Sequence, residues 1–292
     1  MDKLSNSESG TIAFETSVGK YLGTFYPSTQ NEWKFILAEK IEDYSHITKN
    51  GEMKSTLNNV VEGIVKKVSD IENSLLNASD VISNNSKIPE NIQTIIKKIY
   101  DENPDIYDVS YIDEKSVIRN IYPEEYESII GVDLSGQEQF NVLKQTKKPV
   151  WSDLFYAVEG FYSFDLEWPL FNVNSDFIGS LSVLIKNDDF FRDIFLANIN
   201  NPNYEVWIMQ NDGTVVYDID TFEIGRNIFT DELYSEYDEL KVLCKTIIEE
   251  NEGAGEYTFL QTNSETPVTK ESIWTTISFH GKELKVVLTK SY

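Results

Sequence analysis

The sequence predicts a mixed α/β fold of the α+β type, in which one long N-terminal helix accompanies two antiparallel sheet modules. Apolar residues recur at helical spacing over residues 57–75, and aromatic-rich segments bounded by turn residues follow them. The order strand, strand, helix, three strands then occurs twice, over about 90–100 residues each. A repeated strand order is typical of two similar units that each bury one face of a sheet.

Composition excludes several classes of protein. The chain has 292 residues, of which 40% are apolar and 13% aromatic, so intrinsic disorder is excluded as the overall class. The 49 acidic residues outnumber the 25 basic ones and give a net charge of −24, which opposes binding to nucleic acid. A single cysteine excludes an internal disulfide, and two histidines distant in sequence disfavour a metal site built on imidazoles.

The long helix is the strongest local prediction. Its stripe of apolar residues predicts a helix over residues 55–86, shared by both modules and ended by an Asn-Asn-Ser sequence. The stripe consists of Leu57, Val61, Ile64, Val68, Ile71 and Leu75. Part of this surface is expected to mediate a parallel homodimer.

The preceding segment, residues 1–54, is expected to hold a lead-in and a first helix. Residues 1–30 are rich in Ser, Gly, Thr and Asn, which predicts poor order. From Trp33 to Tyr44 the apolar residues recur at steps of three and four, which predicts a helix that Asn50 and Gly51 interrupt.

Residues 87–195 form the first predicted module. A helix begins after Pro89 and ends near Pro104, and a shorter helix covers residues 137–144. Strands are predicted at residues 107–112, 117–122, 150–155, 161–171 and 177–185.

Residues 196–292 form the second predicted module. Its first two strands flank the sequence Asn-Asp-Gly, a strong signal for a tight turn, and a helix from Leu233 to Ile247 follows them. Its strands are predicted at residues 204–210, 214–218, 256–261, 272–279 and 284–289.

Catalytic signatures are not found in the sequence, so no catalytic residue, metal ligand or cofactor is predicted. The phosphate-binding glycine loop, the Gly-x-Ser-x-Gly elbow and the His-Glu-x-x-His zinc motif are all missing. Cys244 lies in an amphipathic helix and is expected to be a packing residue. The abundant carboxylates leave one alternative open, an acidic hydrolase that uses Asp153 with Asp165 or Glu167.

The second module resembles the membrane-proximal module of double Cache sensor domains, the extracytoplasmic, PAS-like regions of prokaryotic receptors. The resemblance rests on the order and spacing of several short motifs. They are Asp212-Gly213, Tyr217-Asp218, Ile224-Gly225 and Trp274.

The first module resembles the membrane-distal Cache module, in the variant related to CHASE domains. The motifs are Tyr122-Pro123, Ile130-Gly131-Val132-Asp133-Leu134 and Lys148-Pro149-Val150. Together the two resemblances cover roughly residues 55–290. Amino-acid-binding relatives carry an Arg-x-Trp-Tyr run and an aspartate on the last distal strand, and this sequence departs from both.

The resemblance implies a function. Such domains bind a small molecule in the distal module and signal through membrane spans to a histidine kinase, a chemotaxis domain or a diguanylate cyclase. The implied location is extracytoplasmic, with membrane spans flanking the segment in the full-length receptor. A dimerisation module with an empty distal pocket stays open as an alternative.

The ligand pocket is expected in the first module, where aromatic and polar side chains cluster in sequence. Trp151 and Asp153 are two apart and are expected to share a strand face, whereas Asp165 is expected to face away from its aromatic neighbours. Arg119 is the candidate partner for an anion. The candidate ligand-binding residues are Arg119, Tyr122, Trp151, Asp153, Tyr162, Phe164 and Asp165.

Overall fold

The computed structural model describes residues 10–16, 19–27, 34–41, 44–157 and 160–292, with side chains from residue 51 onward. Residues 1–52 and 53–292 form two compact units. The first unit contains a meander of three antiparallel strands and the beginning of a helix. The strands are β1 (Gly10–Thr16), β2 (Gly19–Pro27) and β3 (Lys34–Ile41).

Two predictions for this N-terminal region are wrong. The segment read as a helix from Trp33 to Tyr44 forms β3, whose residues pair along their whole length with β2. Pairing with the preceding strand, β2, overrides the short helical spacing in this segment. The segment read as a poorly ordered lead-in contains β1 and β2, although residues 1–9 and Trp33 itself lie outside the described residues.

Helix α1 (Tyr44–Ser83) is longer than predicted. It continues through Asn50 and Gly51, which were expected to interrupt it, because a single glycine weakens a helix by only about 1 kcal/mol. The predicted stripe is confirmed from Leu57 to Leu75, where Val61 alone is only partly buried. One continuous cluster of buried side chains joins this stripe to both sheets of the second unit.

The first sheet has the strand order β5-β4-β9-β8-β6, with β7 paired to β8. Helix α2 (Ile92–Glu102) packs on its β4–β5 edge, and α3 (Glu138–Thr146) packs on β8 and β6. The strands are β4 (Asp108–Asp113), β5 (Ile118–Tyr122), β6 (Val150–Trp151), β7 (Phe155–Tyr156), β8 (Tyr162–Phe171) and β9 (Phe177–Lys186).

Helix α4 (Asn187–Asn198), which the sequence analysis did not predict, leads from the first sheet to the second. The second sheet has the order β11-β10-β14-β13-β12, and α5 (Asp238–Glu249) packs on β12. Its strands are β10 (Tyr204–Gln210), β11 (Val215–Tyr217), β12 (Glu252–Leu260), β13 (Pro267–Phe279) and β14 (Lys282–Ser291). The predicted fold class, a long helix with two antiparallel sheets, is confirmed.

Short 3-10 helices complete the chain at Glu124–Ile129, Thr221–Glu223 and Glu232–Tyr234. Helix α5 therefore begins five residues later than the predicted start at Leu233. The division into two modules at residues 87–195 and 196–292 stays a prediction, since the residues of both sheets belong to one compact unit.

Candidate functional site

A cavity of about 560 Å³ lies beside the first sheet. Its walls come from α3, from β6 with the segment that follows it, and from the turn between β13 and β14. This volume is typical of small-molecule sites. The lining residues are Gln137, Glu138, Gln139, Val142, Thr146, Lys148, Pro149, Val150, Trp151, Ser152, Asp153, Leu154, Phe155, His280 and Lys282.

Helix α3 forms one wall because its apolar residues anchor it to the sheet. Phe140 and Leu143, three residues apart, are both fully buried, while Gln139 and Val142 line the cavity. The helix ends where Lys147 adopts a left-handed conformation with φ of 58°, and the chain turns there toward β6. The cavity side of α3 is therefore held on a rigid support.

Trp151 joins the cavity to the core. Its backbone pairs with Leu166 of β8, and its side chain is 1% exposed. The ring lies 5.5 Å from Phe164 of the same sheet and 5.5 Å from Phe279 of the second sheet. Trp151 therefore lines the cavity and also contacts both sheets through its ring.

The segment after β6 is held by polar groups of the second sheet. Gln210, at the end of β10, accepts a hydrogen bond from the Leu154 backbone N–H at 2.7 Å and donates to Asp153 at 3.4 Å. Lys282 pairs with the other oxygen of Asp153 at 2.8 Å. This wall of the cavity therefore depends on contacts between the two sheets.

The turn between β13 and β14 places a histidine beside the cavity. His280 and Gly281 occupy the two turn positions with φ of 48° and 85°, as a tight hairpin of this type requires. The His280 ring lies 2.8 Å from Glu72 of α1 and contacts the edge of Trp168 at 6.2 Å. The turn thus contacts the long helix, the first sheet and the cavity.

Two acidic side chains are buried on β8 beneath α3. Asp165 accepts hydrogen bonds from Ser182 at 2.7 Å and from Gln139 at 3.2 Å, and Glu167 accepts one from Ser180. Burial raises the pKa of both carboxyl groups, and the charge of Asp165 raises the pKa of Glu167 further. Each of these two carboxyl groups therefore binds its proton more tightly than an exposed carboxyl group does.

The structure brings only some of the predicted site residues together. Trp151 and Asp153 line the cavity, although β6 ends at Trp151 and the two do not share a strand. Asp165 lies behind Gln139, and Phe164 lies in the core against Trp151.

Three predicted residues lie outside this cavity. Arg119 pairs with Asp113 at 2.6 Å, because the β4–β5 hairpin brings the two side chains together, so it is not the partner expected for the other candidates. Tyr122 accepts a hydrogen bond from Lys97 at 2.8 Å. Tyr162 packs against Tyr156.

Several lining residues were missed by sequence reasoning. Gln139 lies in α3 and Gln137 immediately precedes it, and neither belongs to a distinctive motif. Lys282 and His280 come from a hairpin more than 120 residues away from Asp153. Lys148 was noted only as part of a family motif. No local pattern indicates that these segments meet.

The carboxylate geometry does not support an acidic hydrolase. Such chemistry needs two carboxyl groups that flank an open substrate cleft. Asp165 is 4% exposed and Glu167 is fully buried, while Asp153 is paired with Lys282. Asp153 thus occupies a different environment from the two buried acids, and neither of those two faces an open cleft.

A second acidic cluster lies in the second sheet. Asp218, Asp220 and Glu223 have carboxylate oxygens within 4.8 Å of one another, and Asp218 and Glu223 line a cavity of about 20 Å³. Tyr234 donates to Glu223 at 2.8 Å. Burial raises the pKa of Glu223 to about 7, and Lys270 opposes this rise. Asp218 and Asp220 are partly buried.

Comparison with known proteins finds similarity to sensor domains of signalling receptors. Residues 66–187 match the family model described as HK/GC/Chemotaxis protein-like, sensor domain. Among curated proteins, no sequence matches the chain. An extracellular ligand binding receptor from Desulfohalobium retbaense is 27% identical, with a TM-score of 0.68 over 96% of this chain and 47% of that one. The present chain thus spans about half of that receptor.

Two further structures share the fold. The extracellular domain of a protein described as a histidine kinase is 13% identical, with a TM-score of 0.62 over 84% of this chain and 96% of that chain. The ligand binding domain of the Pseudomonas aeruginosa chemoreceptor PctC, in complex with GABA, is 10% identical, with a TM-score of 0.59 over 83% and 99%. The predicted resemblance to Cache-like sensor domains is confirmed.

No described helix combines the length and apolar character that a bilayer crossing requires.

Proposed function

We propose that this chain is the extracytoplasmic ligand-binding part of a transmembrane signalling receptor and that a small molecule binds in the cavity between α3, β6 and the β13–β14 turn. One observation carries the proposal: a cavity of about 560 Å³ is walled by side chains from both sheets. A ligand that contacts both walls binds one relative arrangement of the sheets more tightly than another. Differential affinity of this kind is what lets binding shift a conformational equilibrium.

The receptor context follows from the class of domain. The family model and the structural neighbours are sensor domains of histidine kinases and chemoreceptors, and these domains are extracellular or periplasmic. A histidine kinase is the output we favour, with a chemotaxis domain or a diguanylate cyclase as the other candidates. The flanking membrane spans, and a homodimer through α1, belong to the same proposal.

The alternative, a dimerisation module with a vestigial pocket, predicts a small and filled cavity in the first sheet. The observed volume is well above that of a single buried water. A ligand-binding role therefore accounts for the cavity better than dimerisation does.

The test is a thermal-shift screen with small metabolites, followed by calorimetric titration of the compounds that stabilise the protein. Val142→Trp places a large ring in the cavity from the exposed side of α3, so it is expected to abolish binding. Val242→Trp is the matched control, because it makes the same change on the exposed side of α5. Stabilisation by no compound, or equal affinity of the two variants, would count against the proposal.

A further inference from the structure

The hairpin between β13 and β14 extends beyond the rest of the second sheet. The pairing of β10 with β14 ends at Leu284, and the pairing of β12 with β13 ends at Thr275. The two hairpin strands continue to pair with each other as far as Phe279 and Lys282. We call residues 278–283 the hairpin tip. Because neither neighbouring strand pairs with its backbone, the position of the tip depends on side-chain contacts.

The hairpin tip contacts the cavity. His280 and Lys282 both line it, and Lys282 Nζ lies 2.8 Å from Asp153 Oδ2 in the segment after β6. The Phe279 ring lies 5.5 Å from Trp151, which also lines the cavity. A molecule that fills the cavity therefore contacts the tip itself and also the residues that hold the tip in place.

The hairpin tip also contacts α1. His280 Nε2 lies 2.8 Å from Glu72 Oε1, and the two side chains are 23% and 28% exposed. Between residues 53 and 83, where the side chains of α1 are described, no other side chain forms a hydrogen bond or ion pair with the second sheet. Glu72 follows Ile71 of the buried stripe, so this contact lies at the edge of the surface that packs against both sheets.

Two other polar contacts of α1 lead to elements that do not line the cavity. Lys67 pairs with Asp105 at 2.8 Å, and Ser74 donates to Glu102 at the end of α2 at 3.2 Å. Of these three contacts, the one at Glu72 is next to the cavity. It is therefore the contact that a ligand in the cavity can affect.

The contact between His280 and Glu72 is suited to reversible change. Both side chains are partly exposed, and water screens the attraction between partly exposed groups, so such a pair contributes little to stability. A small movement of the hairpin tip is then sufficient to form or break the contact. The same histidine ring also faces the edge of Trp168 at 6.2 Å, so its position is defined by the first sheet as well.

We propose that His280 couples the cavity to α1: occupancy of the cavity moves the hairpin tip, and the contact with Glu72 passes this movement to the helix. This inference rests on the proposed function of the cavity as a ligand site. His280 is a positioning residue, because it acts on α1 through Glu72. A ligand shifts such an equilibrium only if it binds one position of the tip more tightly than another, and its contacts with His280 and Lys282 supply that difference.

The experiment uses a filled cavity as its probe, so it does not depend on the identity of the ligand. Val142→Trp places a ring in the cavity, and Val242→Trp is the matched control on the exposed side of α5. Backbone amide signals are recorded by NMR for each protein. Val142→Trp is expected to shift the signals of the hairpin tip and of residues 70–74 in α1, whereas the control is expected to shift neither.

A second substitution tests whether His280 carries the effect. His280→Asn removes the ring from Glu72 but keeps the turn, because asparagine before glycine suits the left-handed φ of 48° at this position. In this background, Val142→Trp is expected to shift the signals of the hairpin tip but no longer those of residues 70–74. Glu72→Met removes the acceptor on α1, is expected to give the same result, and serves if His280→Asn does not fold.

The outcomes distinguish this inference from the proposed function. Unchanged α1 signals in Val142→Trp overturn the coupling role of His280 while the cavity stays a ligand site. The same holds if the α1 signals still shift in the His280→Asn and Glu72→Met backgrounds. A thermal-shift screen in which no compound stabilises the protein overturns the proposed function, and with it the role of His280 in signalling, whatever the NMR signals show.

Discussion

Each of the two sheets buries acidic side chains, but the charges are compensated in different ways. In the second sheet, burial raises the pKa of Asp218 and of Glu223, the charge of Lys270 opposes that rise, and Tyr234 donates to Glu223. The adjacent cavity has a volume of only about 20 Å³. In the first sheet, the acids on β8 have only neutral partners, and the cavity beside α3 is about 560 Å³.

The difference lies in the groups that surround the buried acids. A protein cation, Lys270, lies near the acids of the second cluster and opposes the rise of their pKa. Among the described residues, no Lys, Arg or His pairs with Asp165 or Glu167, and Gln139 lies between Asp165 and the cavity. Burial alone therefore does not distinguish the two acidic clusters, whereas the presence of a nearby protein cation does.

The largest effect is expected from removing the cation of the second sheet. Lys270 is 8% exposed, pairs with Glu205 at 3.0 Å and lines the same small cavity as Asp218 and Glu223, so Lys270→Met removes a counter-charge from all three acids. We expect the free energy of unfolding to fall by about 3 kcal/mol in urea denaturation. Lys245→Met, on the exposed side of α5, is the control and should change it by less than about 0.5 kcal/mol. Equal losses would show that the second cluster does not depend on Lys270.

A smaller effect is expected in the dependence of stability on pH. Burial raises the pKa of Glu223 from 4.5 to about 7. A carboxyl group with a raised pKa binds its proton more tightly in the folded state, so the free energy of unfolding falls as pH rises between the two values. The slope is at most about 1.4 kcal/mol per pH unit for one group. Denaturation at a series of pH values should show this fall in the wild type.

Two variants measure how much each sheet contributes to that pH dependence. Glu223→Gln is expected to flatten the curve between pH 4.5 and 7. Glu167→Gln is also expected to flatten the curve. Because burial raises the pKa of Glu167 well above its ordinary value, the flattening is expected to extend further toward high pH than in Glu223→Gln. Superimposable curves for the wild type and the two variants would show that neither buried acid contributes to the pH dependence of stability.

The smallest effect is expected at the rim of the cavity. Lys282 and Asp153 form a pair whose side chains are 35% and 54% exposed, so water screens their attraction. We expect Lys282→Met to lower the free energy of unfolding by about 0.5 kcal/mol. Lys98→Met, which breaks an exposed pair with Glu102 on α2, is the matched control and should have a similar effect. A loss several times larger would show that the sheets are held together mainly at this rim.

Local patterns predicted the long helix and most strands of the two sheets. The stripe from Leu57 to Leu75 is largely buried because helical periodicity places its residues on one face, and the strands predicted at residues 161–171 and 177–185 recur as nearly continuous buried segments. The N-terminal strand β3 was misread as a helix, since a few apolar residues at short spacing fit either element until a neighbouring strand pairs with them. Helix α4 was not identified at all.

The candidate site was predictable only in part. Trp151 and Asp153 were identified because aromatic and acidic residues cluster there, and both line the cavity. Arg119 was assigned to the site because a lone arginine attracts anions, yet the hairpin fold supplies Asp113 as its partner. Gln139 carries no signal in sequence, and its importance comes from a contact with Asp165, 26 residues away.

The sequence by itself determined the fold class, the acidic surface and the order of strands, because these depend on composition and on periodicity within short segments. Only the tertiary structure decided which acids have partners, where a cavity is left open, and that the β13–β14 turn reaches Asp153 and Glu72. Such contacts join segments far apart in the chain, and their energies depend on strand register and side-chain packing. Neither quantity is encoded in any one local pattern.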